Sequence, residues 1–215
     1  MINSFIQNAP GIVGLIFALL ASNAWAYGHH DVTQIVRTID GPKGPRYQID
    51  TGVVNVIIDD LSRHADNYPP RFSDPQERQR ATQDAAKLSG MLDILTKSGS
   101  SSTELLLNVA RLNAMGHNLD IPATAQRADA AYRELLTQQP EHPKSNYGYG
   151  LFLASTGRSK AALPYLEKAM AKGVDAASYT LGLVYLSLND KRKAQALLIS
   201  HAKAYPMDKD CRGNS

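Results

Sequence analysis

Four consecutive residues, Tyr27-Gly28-His29-His30, have types and an order that could bind a metal ion. If the chain is cut after Ala26, Tyr27 becomes the N-terminal residue and His29 stands third. A free α-amine, two backbone amide nitrogens and one imidazole can then surround an ion in a plane, and Gly28 leaves the backbone free to turn. Square-planar nitrogen ligation selects Cu(II) or Ni(II). The sequence therefore predicts a metal site of Tyr27, His29 and His30, with a coincidental histidine in third place as the alternative.

No other group of residues in the sequence assembles the roles that a catalysed reaction requires. Asp59 and Asp60 are adjacent on an expected helix and point about a quarter-turn apart, so they make a poor acid–base pair. Asp60 and His64 share a helix face at i and i+4, which a solvated surface pair explains more simply than a metal site does. The sequence also lacks nucleophile-elbow, phosphate-loop, dinucleotide and zinc-protease motifs. We therefore expect no enzymatic activity, and no cofactor apart from Cu(II) or Ni(II).

Residues 1–26 differ from the rest of the chain because they contain no Lys, Arg, Asp or Glu. Their apolar run, 12–21, is followed by the small-x-small tripeptide Ala24-Trp25-Ala26. This arrangement is typical of a secretory signal peptide, although no Lys or Arg precedes the run. The run is about half as long as the roughly 20 apolar residues of a membrane-spanning helix. We predict cleavage after Ala26 and export to the periplasm or the exterior; a retained membrane anchor and a cytosolic chain are the alternatives.

The composition is that of a folded, nearly neutral chain of 215 residues. A hydrophobic content of 43% and a net charge of +3 argue against intrinsic disorder. The single cysteine, Cys211, excludes a disulfide-stapled fold and a Cys-rich zinc site. We expect its thiol to be free, and a bridge to a second chain is the alternative. Because no basic run marks a nucleic-acid-binding face, nucleic acid is not expected as a ligand.

The chain divides into five expected segments. They are a signal peptide (1–26), an irregular lead-in (27–50), a helical hairpin (51–100), a repeat region (101–206) and a flexible tail (207–215).

The lead-in is expected to be irregular because it contains Gly-Pro-Lys-Gly-Pro at 41–45 and no sustained apolar period. It leaves room for one short strand, at 32–37 or at 47–49. From Thr51 onward, apolar residues recur at helical spacing and the interruptions divide them into eight helices, paired as four hairpins. The sequence therefore predicts an all-α fold after the lead-in.

The last two expected hairpins match one another at fixed offsets. Gly150 precedes Ala162 by 12 residues, and Gly182 precedes Ala194 by 12 residues. A small residue on each helix allows the two helices of a hairpin to cross closely. One hairpin cannot bury its apolar face alone, so successive hairpins are expected to stack on one another.

This pattern resembles the tetratricopeptide repeat (TPR) family, and the chain looks like an exported bacterial member. In that family a Leu-Gly-x-x-Tyr segment is followed by Ala-x-x-x-Phe and Pro, with a period of about 34 residues. The unit around Gly182 fits through Tyr185, Ala194 and Pro206, and the unit around Gly150 lacks the proline.

A third unit is degenerate. Its second half fits the family pattern through Ala128, Tyr132 and Pro140, but about six extra residues separate it from its first half. The hairpin at 51–100 resembles the family only in being helical. The resemblance implies a right-handed helical solenoid of about four hairpins.

The resemblance also implies a concave groove, lined by the first helix of each hairpin, in which a protein or peptide partner binds. The expected groove residues are Leu107, Arg111, Tyr147, Leu151, Ser155, Tyr179, Leu183, Leu186 and Ser187. Packing of Tyr147 and Tyr179 on the next hairpin is the alternative. This set is apolar and tyrosine-rich, and it lacks the Lys/Asn/Arg group with which some family members hold a C-terminal carboxylate. We expect it to accept an amphipathic helix or an extended apolar segment, oriented by tyrosine hydroxyl groups.

The expected function is that of an exported periplasmic scaffold that binds another protein, in the assembly of an envelope complex. No stable membrane insertion is expected after cleavage of the signal peptide. Two alternatives stay open. One is a periplasmic protein that handles Cu(II) or Ni(II) through its mature N-terminus, and the other is a self-associating structural protein.

Overall fold

The computed structural model of the chain describes residues 26–42, 44–97 and 102–205. Several predicted features lie outside these residues and stay predictions. They are nearly all of the signal peptide, Pro206, Cys211 and the tail 207–215.

Within the described residues, a short strand pair is followed by eight α-helices, which confirms the predicted all-α, TPR-like solenoid. The strands are β1 (Val36–Ile39) and β2 (Arg46–Ile49). The helices are α1 (Thr51–Ala65), α2 (Pro75–Lys97), α3 (Thr103–Asn118), α4 (Thr124–Gln138), α5 (Pro143–Ser155), α6 (Ser159–Ala171), α7 (Asp175–Ser187) and α8 (Lys191–Ala204). None of the helices in the described ranges is both long enough and apolar enough to cross a bilayer.

Side-chain caps explain where four of these helices begin. The carboxylates of Asp50, Asp74 and Asp190 accept hydrogen bonds from backbone N–H groups in the first turns of α1, α2 and α8. The hydroxyl group of Ser102 does the same for α3. Each cap satisfies a backbone donor that has no partner within the helix and stabilises the start by about 1 kcal/mol. The local sequence therefore sets the bounds of these helices.

The helices pack in the order in which they occur. Helices α3 and α4, α5 and α6, and α7 and α8 form three hairpins, while α1 and α2 both pack against α3. The first helices of these pairs also contact one another in series, from α1 to α3, α5 and α7. A single continuous core runs through the whole arrangement. This packing places the four first helices along one side of the solenoid.

The small residues of the repeat pattern lie at the helix crossings. Ala128, Ala162 and Ala194 are completely buried. A Cβ atom added at Gly150 would lie 2.6 Å from Cγ of Leu166, so only glycine allows α5 and α6 to approach this closely.

The remaining repeat-defining residues of the described chain are also in place. A Cβ atom at Gly182 would lie 2.8 Å from the side chain of Leu198, the same relation one hairpin later. Tyr132 and Tyr185 are buried in the core. Pro140 lies in the turn between α4 and α5, where it cannot extend the preceding helix.

The lead-in is more ordered than the sequence predicted. It contains a 3-10 helix (Val32–Ile35) and the antiparallel strands β1 and β2, in which Val36 is opposite Ile49. Tyr27 and the 3-10 helix belong to the same core as the solenoid, and this helix contacts both α1 and α2. The strand suggested at 47–49 lies within β2, but the rest of the segment is not irregular. The sequence did not reveal this order because the buried residues of the segment are too few to form a period. They are held in place by tertiary contacts and not by local pattern.

Candidate functional site

A cavity of about 540 Å³ lies between α1, α3 and α5. Its size is within the range of about 300–1,000 Å³ that is typical of ligand pockets. The cavity is lined by Asn55, Asp59, Asp66, Glu104, Leu107, Asn108, Arg111, Ala114, Met115, Asn118, Tyr132, Lys144, Tyr147, Gly148, Leu151, Phe152 and Ser155. It is therefore formed mainly by the first helices of three successive helix pairs.

Five of the nine predicted groove residues meet in this cavity. Leu107 and Arg111 come from α3, and Tyr147, Leu151 and Ser155 come from α5. Their spacing of three or four residues places them on one face of each helix. The sequence pattern thus identified the walls that α3 and α5 contribute.

The other four predicted groove residues lie on α7 and do not line the cavity. Leu183 is 43% exposed and Leu186 is 47% exposed, which is unusual for large apolar side chains in a helical core. The ring of Tyr179 lies 5.6 Å from that of His201, so this tyrosine packs within its own hairpin. Ser187 is the last residue of α7. Beyond the cavity, α7 therefore offers a small apolar surface of Leu183 and Leu186.

The cavity is more polar than the predicted groove. It contains three acidic residues, Asp59, Asp66 and Glu104, and two basic residues, Arg111 and Lys144. The expectation of an apolar groove was wrong for two reasons: α1, which was assigned to a hairpin outside the repeats, supplies an acidic wall, and Glu104 of α3 and Lys144 of α5 also line the cavity. Asn55, Asp59 and Asp66 follow one another on α1 at intervals of four and seven residues. That polar spacing was the signal that could have revealed this wall.

Amide side chains connect α1 to α3 on the polar side of the cavity. Asn108 Nδ2 donates a hydrogen bond of 2.6 Å to Asn55 Oδ1, and Asn55 Nδ2 donates one of 3.0 Å to Glu104 Oε1. Asn118 Nδ2 donates to the carbonyl oxygen of Ala65 over 2.8 Å. These bonds hold the two helices in a constant relation, so the wall is formed before any ligand arrives.

Arg111 lies between two carboxylates. Both of its terminal nitrogens are 3.4 Å from Asp59 Oδ1, which is a long contact for an ion pair. Asp66 is open to solvent at the cavity mouth, and its carboxylate forms no hydrogen bond or ion pair with any residue of the described ranges. Although the Asp66 side chain is exposed, the protein atoms around it displace part of its hydration and raise its pKa, while Arg111 lowers that pKa and Asp59 raises it. The guanidinium group of Arg111 thus interacts electrostatically with the carboxylates of both Asp59 and Asp66.

The hydroxyl group of Tyr132 reaches the cavity floor next to Gly148. Tyr132 is only 2% exposed, and a Cβ atom at Gly148 would lie 2.6 Å from its Oη. Its ring stacks on that of Tyr149, with 5.4 Å between the ring centres. Burial raises the pKa of Tyr132, so the hydroxyl group keeps its proton. In the part of the chain that the structure describes, this group has no hydrogen-bond partner.

The predicted metal-binding segment is attached to α1 and α2. The hydroxyl group of Tyr27 donates a hydrogen bond of 3.2 Å to Asp84. The N–H of Gly28 donates one of 2.8 Å to Asp60 Oδ2, and His30 Nε2 is 2.6 Å from the same oxygen. The carboxylate of Asp60 therefore holds the start of the lead-in.

This attachment conflicts with square-planar coordination by Tyr27, His29 and His30. The predicted geometry needs the amide nitrogen of Gly28 without its proton, whereas here that N–H donates to Asp60. His29 is exposed, and no group of three His, Cys, Asp or Glu residues within the described ranges could hold an ion. Binding of Cu(II) or Ni(II) stays a prediction, and it requires the segment to leave α1.

Comparisons with known proteins agree with the fold. The structure is similar to the crystal structure of a thermophilic TPR protein of Thermus thermophilus, with a TM-score of 0.51 and 16% sequence identity. The similarity covers 75% of this chain and 88% of that chain. No family model matches the sequence, and no curated protein matches it. The chain therefore has a TPR-like fold.

Proposed function

We propose that this protein is an exported scaffold that binds a peptide segment of a partner protein in the cavity between α1, α3 and α5. The observation that carries the proposal is the convergence of Leu107, Arg111, Tyr147, Leu151 and Ser155 on that cavity. Helical solenoids use such concave surfaces for binding. The cavity is also large enough to enclose part of a peptide chain.

The apolar part of the cavity suits the side chains of a peptide. Met115 and Phe152 form a buried base, while Leu107, Tyr147 and Leu151 are only partly covered. Burial of the remaining apolar surface by a ligand yields about 25 cal/mol for each Å² removed from water. A segment longer than the cavity would continue toward the exposed leucines of α7. These contacts favour a ligand with several spaced apolar residues.

The proposal includes export to the periplasm and participation in the assembly of an envelope complex. Its support is the apolar run 12–21 followed by Ala24-Trp25-Ala26, the pattern of a cleaved signal peptide. The docking of Tyr27 directly after that pattern fits a cut after Ala26, since the cut leaves every core residue of the lead-in in the mature chain. Reading the N-terminal residue of the purified protein tests this part.

Cross-linked capture from the native host tests the groove. The full chain carries a C-terminal tag and is compared with Tyr147→Ser, a change in the cavity wall. Tyr47→Ser is the matched control, because Tyr47 is 73% exposed on β2 and lies outside the cavity. We expect one dominant partner, lost with Tyr147→Ser and kept with Tyr47→Ser, while the melting temperatures of both variants stay close to that of the parent.

Other outcomes would contradict the proposal. A large fall in melting temperature for Tyr147→Ser would assign Tyr147 to the core. Equal loss of capture with both variants would separate binding from the cavity. Capture of the same chain alone would favour the self-associating alternative, and a retained Met1 would favour a membrane anchor.

A further inference from the structure

Two polar groups without partners face the cavity from different helices. The carboxylate of Asp66, at the end of α1, forms no ion pair or hydrogen bond with the residues that the structure describes. The hydroxyl group of Tyr132, on α4, has none in the same ranges, although the side chain is almost completely buried. Buried polar groups are normally hydrogen-bonded, so the unpaired hydroxyl group of Tyr132 calls for an explanation, whereas the exposed carboxylate of Asp66 is accessible to a ligand from solvent.

These two groups line the same cavity as Arg111. The charges of Arg111 and Asp66 both act on the Tyr132 hydroxyl group, Arg111 lowering its pKa and Asp66 raising it. The guanidinium of Arg111 also faces Asp59, over 3.4 Å. Arg111 and Lys144 can together neutralise only two of the three carboxylates that line the cavity, which leaves one negative charge in excess.

The residues around this excess negative charge determine which ligands the cavity favours. Met115 and Phe152 contribute apolar surface to the same cavity, and the hydroxyl group of Tyr132 lies against Gly148, where a Cβ atom would be only 2.6 Å away. A bound ligand that covers Asp66 would exclude water from it, and a charge pair shielded from water interacts more strongly than the same pair in water. An apolar ligand segment alone would cover Asp66 without pairing it, and an uncompensated buried charge is costly. An acidic ligand would add repulsion.

We infer that the cavity recognises a peptide segment that carries a Lys or Arg side chain, whose cationic group binds Asp66 and the hydroxyl oxygen of Tyr132. The flanking apolar residues of the segment then pack on Leu107 and Leu151. The inference rests on the proposed function, since it names the chemistry of the ligand in the same cavity. The proposed ligand is a peptide, since a free polyamine would supply the cation without the apolar flanking residues.

A displayed library of random 12-residue peptides tests the inference with the full-length protein as bait. Selection on the parent protein is repeated on Asp66→Asn and on Tyr132→Phe. Asp40→Asn is the matched control, because Asp40 is exposed at the turn after β1 and outside the cavity. Selected peptides are then synthesised with Lys or Arg replaced by norleucine, and their affinities are measured together with that of spermidine.

We expect peptides selected on the parent and on Asp40→Asn to be enriched in Lys or Arg next to apolar residues. Asp66→Asn should lose the preference for Lys and Arg but keep the apolar preference. Replacement by norleucine should weaken binding to the parent about tenfold or more, the usual worth of a hydrogen bond to a charged group. Tyr132→Phe should weaken it severalfold without lowering the melting temperature, because the hydroxyl group has no partner to lose.

Three results would overturn the inference. Apolar enrichment without a preference for Lys or Arg would refute it and leave the proposed function intact. A preference for Lys or Arg that persists in Asp66→Asn would place the cation elsewhere. Binding of spermidine in place of peptides would refute the peptide ligand. If no peptide binds in a manner sensitive to Tyr147→Ser, the proposed function itself fails, and the inference fails with it.

Discussion

Replacement of helical glycines by alanine distinguishes the close helix crossings from ordinary helix positions. Three of the helical glycines, Gly90, Gly150 and Gly182, differ in how closely other atoms surround them. A Cβ atom at Gly150 would meet Cγ and Cδ2 of Leu166 at 2.6 and 2.8 Å, and the backbone nitrogen of Leu166 at 3.2 Å. At Gly182 the contacts below 3 Å are only with the Leu198 side chain, and at Gly90 nothing lies within 4 Å.

The expected free energies of unfolding follow from these contacts. Alanine is favoured over glycine in a helix by about 0.5–1 kcal/mol, and Gly90→Ala should therefore raise the stability by that amount. Gly150→Ala gains the same helix preference, but its methyl group would push against the fully buried side chain of Leu166 and the backbone nitrogen of that residue. Overpacking of this kind typically costs about 1–3 kcal/mol. The net loss should be near 1.5 kcal/mol, or about 3–6 °C in melting temperature for a chain of this size.

Gly182→Ala should lie between these two variants. Leu198 is only half-buried in the middle of α8, so its side chain can move away from the added methyl group. Thermal and urea unfolding, followed by circular dichroism, should order the melting temperatures as Gly90→Ala, parent, Gly182→Ala and Gly150→Ala. The unfolding slope in urea should be unchanged, since the exposed surface is the same.

Two results would refute this reasoning. Equal stability of Gly150→Ala and Gly90→Ala would mean that α5 and α6 do not cross at Gly150. A greater loss for Gly182→Ala than for Gly150→Ala would mean that the last hairpin, and not the one before it, carries the tighter crossing.

Two further predictions concern the lead-in. Burial alone raises the pKa of Asp60, but hydrogen bonds, of which that from His30 is the largest, outweigh it and hold the pKa below its usual value. The ionised group therefore contributes stability at pH values above its unfolded-state pKa, near 3.9, and this stability is lost as the pH falls through the folded-state pKa. Asp60→Asn should lower the free energy of unfolding at pH 7 and flatten its pH dependence below about pH 4. A pH dependence identical to that of the parent would contradict this. Cu(II) added to a chain that begins at Tyr27 should bind only when the lead-in leaves α1, so it should lower the melting temperature, as expected of a ligand that prefers the opened state. His29→Ala should abolish both the binding and the fall, whereas a rise in melting temperature would show that the metal binds the docked segment.

The sequence predicted the repeats well because their physics is local and periodic. Gly150 and Gly182 stand at equal distances before Ala162 and Ala194, and the structure places all four at helix crossings. The walls of the cavity on α3 and α5 followed from the same register. These features need only the helical period and the requirement that hairpins stack.

The features that the sequence missed depend on contacts between distant segments. Tyr27 is buried because α1 and α2 provide a place for it, and no neighbouring residue repeats the pattern. The polar wall was missed because Asp66 and Asn55 belong to a helix without the repeat motif. Tyr132 was interpreted only as a repeat residue, although its hydroxyl group lies against Gly148 and both residues line the cavity.

Helix α1 joins the two candidate sites of this protein. Asp60 faces the lead-in and holds Gly28 and His30, whereas the adjacent Asp59 faces the cavity and Arg111. Adjacent residues on a helix point about 100° apart, which is why one short stretch can serve two surfaces. The same geometry that makes these carboxylates a poor acid–base pair makes α1 a shared wall. Any change that releases the lead-in from Asp60 therefore acts on a helix that also shapes the cavity proposed to bind a peptide.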